Sequence, residues 1–158
     1  MQLVHYLPNH IGGFQPGPVP HNGLTEFGAS VIKELNRLGV LVDVAHATEP
    51  LVRQAVKVTT KPLLLSHTAL QGSTAQGKTP LEGRLISADH ARMVAQTDGV
   101  VGLWHFFATV ERMVDGIKEM VDVVGVDHVG VGTDRQVAAG LFRDYANYGA
   151  LVDAMLKG

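Results

Sequence analysis

Two apolar runs of strand length in this sequence each stop on a histidine: Val40 to His46 and Lys61 to His67. Neutral imidazole is a common zinc ligand, so paired strand-end histidines point to a metal site. Their separation is too long for a local clip, and they can share an ion only if the fold brings the strand ends together. A single histidine at a strand end has a plainer reading, a hydrogen bond to a loop; the repetition favours ligation. A third run, His128 to Asp134, reads Val-Gly-Val-Gly-Thr before its carboxylate, a stretch that lets other groups come close. Asp134 therefore suits a catalytic role better than a surface one. His5 closes the short run Gln2 to His5 and suits a ligand, a substrate contact or a cap. Arg84 follows a glycine-containing loop. A guanidinium there could clamp a substrate carboxylate, although an ordinary surface charge is the plainer reading of its position.

These residues need elements to hold them. Between His46 and His67 lies TEPLVRQAVKV, with a capping Thr48, Pro50 in the first turn, and Leu51, Ala55 and Val58 on one face. That is a β–α–β unit, and a crossover of this length joins parallel strands. Parallel neighbours carry both histidines to the same, C-terminal edge of the sheet. Upstream, Leu7 to Asn22 is loop, and Thr25 caps a helix to about Leu38, with Phe27, Val31, Leu35 and Leu38 expected inward. Downstream, Thr68 to Gly83 is a polar loop and Ser87 opens a helix that buries Met93 and Val94. Gly99 to His105 is a strand, Val110 to Val124 a helix, and His128 to Asp134 a strand. A last helix is expected over Tyr145 to Lys157, with Tyr148, Leu151, Val152 and Met155 on its apolar side.

Five expected strands thus end in His5, His46, His67, His105 and Asp134. Alternating strands and helices indicate an α/β fold with a parallel sheet, and chemistry-bearing strand ends are the mark of a (β/α)8 barrel. Gly130 and Gly132 lie within a strand, and the sequence lacks the phosphate loop of a dinucleotide-binding sheet. The expectation is a single domain over 1–158 that represents about the last five strands of an eight-stranded, TIM-type barrel.

Composition narrows the function. Hydrophobic residues make up 46% and charged residues 18%, with a formal charge of −2, which excludes a disordered chain and gives no footprint for nucleic acid. There is no cysteine, so disulfides and thiolate metal sites are excluded. No apolar run approaches the ~18 residues of a membrane span, and Met1 to His10 lacks the features of a signal peptide. A cytoplasmic location is expected. Of the remaining histidines, His105 in Trp-His-Phe-Phe suits a pocket wall, His128 a structural place at the opposite face, and His90 solvent. His10 and His21 are loop residues.

At Gly23 to Gly28, Lys33 to His46, Leu65 to His67 and Val129 to Asp134, the sequence resembles the membrane (renal) dipeptidase family of zinc-dependent metallodipeptidases. The resemblance runs nearly end to end and implies a metal-dependent hydrolase barrel with a two-zinc site. It implies that His46 and His67 ligate one zinc, that His5 contacts substrate, that Arg84 binds the substrate carboxylate and that Asp134 is the catalytic aspartate. It also implies that the first-strand His-x-Asp, the bridging glutamate and the final helices of the family lie outside these residues. Leu85 stands where the family has asparagine and Arg135-Gln136-Val137 where it often reads Phe-Asp-Gly, two departures that bear on substrate preference.

The expected function is a zinc-dependent dipeptidase, or a segment of one, acting on dipeptides. The alternatives are another metal-dependent amidohydrolase on the same barrel and a catalytically inactive fragment. The expected partners are a dipeptide and either a second copy of the chain or a complementing N-terminal segment.

Overall fold

The computed structural model describes residues 1–17, 21, 23–134, 141 and 147–157. Helix α1 (Glu26–Arg37) leads into β1 (Val42–Asp43), α2 (Glu49–Val58) and β2 (Leu63–Thr68). After a long loop closed by a 3-10 turn at Glu82–Arg84 come α3 (Ala88–Ala95), β3 (Val100–Leu103), α4 (Val110–Val124), a 3-10 turn at Val126–His128, β4 (Val129–Val131) and α5 (Asn147–Lys157).

The four strands form one parallel sheet in chain order, β1-β2-β3-β4. Each consecutive pair is joined by a helix, and the helices also pack in order, α1 on α2, α2 on α3, α3 on α4 and α4 on α5. A doubly wound sheet reverses its strand order at a switch point; this one does not, and it has the winding of a barrel. Alternation along β2 buries Leu63 and Leu65 under the helices and leaves Leu64 and Ser66 half-buried on the other face.

The sheet differs from expectation at its edges. The run Gln2 to His5 does not form a fifth strand. It joins the β1 edge through one parallel bridge, Gln2 to Asp43, with Leu3 N donating to Asp43 O at 3.1 Å and Asp43 N to Met1 O at 2.9 Å. β1 itself is only two residues long. Asp43 Oδ1 accepts from Ala45 N at 2.9 Å, and this side-chain turn draws the backbone off the ladder before the expected strand is complete.

Helix starts follow the sequence. Thr25, Thr48, Ser87 and Thr109 each cap the next helix, their side chains accepting from Gly28, Leu51, His90 and Arg112 N–H. Helix faces follow it less closely. α1 buries Gly28, Ile32 and Leu35, while Phe27 is 60% and Leu38 57% exposed. A Cβ at Gly28 would lie 2.3 Å from Ile11 O, so the preceding loop crosses the helix there and rotates its buried face away from Phe27. On α5, Leu151 is buried, whereas Val152 and Met155 are exposed; Tyr145 lies outside the described residues. No helix among the described residues is long and apolar enough to cross a membrane.

His90 departs furthest from expectation. It is 1% exposed, on the side of α3 that also buries Ala91, Met93 and Val94. Burial, partly offset by the charge of Glu49, pushes its pKa down to about 4. Above pH 6.5 the ring is neutral in folded and unfolded chains alike. Between 6.5 and about 4 only the unfolded chain takes up the proton, so stability falls as pH is lowered through that window. Denaturant unfolding at pH 7 and pH 4.5 should show the acid loss reduced by about 2 kcal/mol in His90→Gln relative to wild type. An equal loss in both proteins would refute this source of acid sensitivity.

Candidate metal and substrate site

The two strand-end histidines meet. His46 Nε2 and His67 Nε2 are 2.9 Å apart, and the rings cross edge to face with centroids at 4.9 Å. One carboxylate oxygen fixes the strands behind them: Asp43 Oδ1 accepts from Ala45 N at 2.9 Å and from Ser66 N at 3.1 Å, the residues immediately preceding the two histidines. Ser66 Oγ also lies 2.9 Å from His67 Nδ1. His46 has φ 63°, in a left-handed region that histidine enters more readily than most residues, and this turns its ring from β1 toward β2.

Asp134 reaches the pair from the β4 side. Its Oδ2 lies 3.7 Å from His67 Nε2, beyond hydrogen-bond range. The close approach depends on glycine: a Cβ at Gly132 would fall 1.6 Å from Ser66 O, and one at Gly102 2.2 Å from the same atom. His5 stands on the other side, its ring centroid 4.5 Å from that of His46. Tyr6 packs beside both rings, and the Arg84 guanidinium lies over the Tyr6 ring, 4.5 Å from its centroid. The structure therefore brings together His5, His46, His67, Arg84 and Asp134. The departure at Arg135-Gln136-Val137 lies outside the described residues.

Electrostatics favour neutral imidazoles. Burial, with the positive potential of His67, His5 and Arg84, pushes the His46 pKa down to about 4. Burial also lowers that of His67, against the opposing pull of Asp134 and Asp43. Near pH 7 both rings are neutral, and His67 with Asp134 is not an ion pair. Zn–N bonds of about 2.0–2.1 Å at a tetrahedral angle set two nitrogens roughly 3.3 Å apart, close to the spacing seen here. Among the described residues no group of three or more His, Asp or Glu side chains is placed to hold a metal ion. The residues present fit zinc as two of its usual four ligands.

Sequence reasoning missed the groups that hold the Arg84 loop. Thr68 Oγ1, next to His67, donates to Arg84 O at 3.0 Å. Farther back, the Glu119 carboxylate on α4 accepts from Ser73 Oγ, from Thr74 Oγ1 at 2.5 Å, and from the amides of Thr74 and Ala75 at 3.1 and 3.3 Å. Burial raises the Glu119 pKa, but these hydrogen bonds outweigh it and hold the carboxyl below its ordinary value. Gln76 continues the network, donating to Phe106 O at 2.7 Å and accepting from Trp104 Nε1 at 2.8 Å. His105 is buried behind this wall, and His128, ahead of β4, donates from Nδ1 to Gly99 O at 2.9 Å. Neither joins the histidine pair. The signal for Glu119 and Gln76 is long-range, and spacing along the chain does not carry it.

A family model described as "Membrane dipeptidase (Peptidase family M19)" matches residues 13–158, so His5 lies ahead of the matched stretch. Dipeptidase 3 of Mus musculus is 28% identical over 149 residues, which cover 86% of this chain and 29% of that protein. A solved structure of a dipeptidase, a metallo peptidase of family M19, superposes with a TM-score of 0.79 at 25% identity, covering 95% of this chain and 48% of its own. An amidohydrolase from Pseudomonas aeruginosa gives 0.83 at 20% identity over 99% of this chain and 56% of its own, a likeness of fold. The chain thus spans about a third of the curated relative and about half of the solved structures.

Glu119→Ala should release the loop without disturbing the sheet. Removing a carboxylate that accepts four hydrogen bonds should cost about 2 kcal/mol in denaturant unfolding. Hydrogen exchange should quicken at the Thr74 and Ala75 amides while those of β2 keep their protection. Unchanged exchange at Thr74 and Ala75 would show that Glu119 does not anchor the loop.

Proposed function

The chain belongs to the membrane dipeptidase family, peptidase family M19, and on that premise we propose that its site serves zinc-dependent hydrolysis of dipeptides. One observation carries the reading: two neutral imidazoles converge through Nε2 at 2.9 Å on the C-terminal ends of adjacent parallel strands. His46 and His67 would hold a zinc ion, which when bound polarises a carbonyl and activates water.

The remaining roles belong to the side chains around the pair. Arg84, held over Tyr6 and tethered through its carbonyl to Thr68, would bind the terminal carboxylate of a dipeptide by its paired N–H groups. His5, beside His46, would donate a hydrogen bond to the oxygen on which negative charge develops. Asp134, next to His67, would take a proton from the attacking water and deliver it to the departing amine. Its left-handed backbone, φ 48°, supports this assignment, because unusual dihedrals persist where the surroundings over-determine them.

Two imidazoles make half a zinc site. These 158 residues by themselves should therefore bind zinc weakly and release amino acids from dipeptides far more slowly than the ~1–10³ per second of ordinary enzymes. A complementing segment or a second copy would supply the further ligands. The test is calorimetric zinc titration of wild type, His46→Ala and His67→Ala, followed by a dipeptide panel assayed with zinc. Each substitution should abolish the weak binding. Equal zinc affinity in all three proteins would sink the metal assignment; dipeptide turnover at ordinary rates would show that these residues contain further ligands.

A further inference from the structure

The facing Nε2 atoms and the Ser66 contact account for three of the four ring nitrogens in the histidine pair. The fourth, His46 Nδ1, is buried and makes no hydrogen bond of acceptable geometry among the described residues, although the Gln15 backbone faces the same ring. Nε2 of the fully buried His90, which reaches in from α3, likewise makes none. Both residues line one small, partly open cavity of about 10 Å³, together with Gln15, Thr68, Arg84 and Trp104. That is about the space one water needs, and a buried water is stable where it finds two to four polar partners. Two orphaned nitrogens on one such cavity have a common remedy.

We propose that His90 is a positioning residue for His46, acting through a single buried water that joins His46 Nδ1 to His90 Nε2. The proposal rests on the metal reading above. A histidine that ligates through Nε2 carries its proton on Nδ1, and that N–H needs an acceptor to fix the tautomer and the ring. Here the water accepts from His46 Nδ1–H and donates to His90 Nε2, so His90 holds its own proton on Nδ1. Thr68 Oγ1, already donating to Arg84 O, offers an acceptor for the second water hydrogen. On the other side of the pair the order continues: His46 Nε2 accepts from His67 Nε2–H, and His67 Nδ1 accepts from the Ser66 hydroxyl. In the metal-free chain His46 therefore already has the ligating tautomer, whereas His67 must move its proton from Nε2 to Nδ1 to bind.

Local sequence places His90 for this role. The Ser87 cap accepts from His90 N at 3.0 Å, which fixes the first turn of α3 and directs the third helical residue toward the strands. A carboxylate in that place would put a buried charge against the site, whereas a neutral imidazole supplies an acceptor without one.

The test uses the 158-residue chain with ¹⁵N-labelled histidine, metal-free and then with zinc chloride, in wild type, His90→Leu and His90→Gln. Long-range ¹H–¹⁵N spectra report the tautomers, and cross-peaks to water report the bridge. In metal-free wild type, His46 should be protonated at Nδ1, exchange slowly and show a water cross-peak, with His90 Nε2 unprotonated. His90→Leu should lose the cross-peak, mix the His46 tautomers and weaken zinc binding by about 10–100-fold. His90→Gln, which keeps a hydrogen-bonding group at similar reach, should restore most of the affinity. Wild-type His46 unprotonated at Nδ1, or His90→Leu with wild-type ring signals and affinity, would overturn the proposal. Should His90→Leu fail to fold, the wild-type ring signals decide alone. If wild type binds no zinc, or binds it as well as His46→Ala does, the metal reading falls, while the ring signals still decide the bridge.

Discussion

A single carboxylate oxygen sets the geometry on which the site depends. Asp43 Oδ1 holds the amides of Ala45 and Ser66, and each of those residues is followed at once by a histidine. Strand register alone would align β1 and β2 at Val42–Leu63 and Asp43–Leu64. It would not specify how the two chains leave the sheet. The shared acceptor does that, because a hydrogen bond from each amide fixes both peptide planes relative to one point. The same charge faces His67 and opposes the desolvation of its ring. Asp43 thus acts on the histidines twice, once through the backbone and once through the field.

The rest of the site is held from the helix side. Glu119, Gln76 and Trp104 tie the loop after β2 to α4 and to the end of β3, and Thr68 joins that loop's far end to β2. Arg84 therefore sits on a loop secured at both ends, although no regular element longer than a 3-10 turn supports it. Polar links of this kind add little net stability when complete and cost most when broken where they are buried. Their effect here is to reduce the freedom of one guanidinium over one aromatic ring.

Much of this was legible in the sequence where the signal is local. The β–α–β unit around Thr48, the capping residues, the parallel sheet and the gathering of His5, His46, His67 and Asp134 at one edge follow from periodicity and turn chemistry, while Arg84 is pointed to by the family resemblance alone. What escaped is decided by contacts between distant segments. His90 reads as solvated because its neighbours in sequence are charged, yet α3 turns that position toward the sheet. Phe27 fits the apolar stripe of α1, yet the loop crossing at Gly28 rotates the helix. Asp43 gives no signal in the sequence, since its two amide partners, one of them on another strand, appear only when the strands are paired.

The in-order sheet also bears on how the molecule assembles. Both paired imidazoles, the carboxylate that aligns them and the helix between them fall within β1–α2–β2, a continuous stretch of chain. Contacts between near neighbours in sequence close with small loss of loop entropy and form early in folding. On a ribosome the histidine pair can come together once Thr68 has left the exit tunnel, before β3, β4 or the Glu119 anchor has been made. The loop with Arg84 and the carboxylate of Asp134 come from later stretches of the chain.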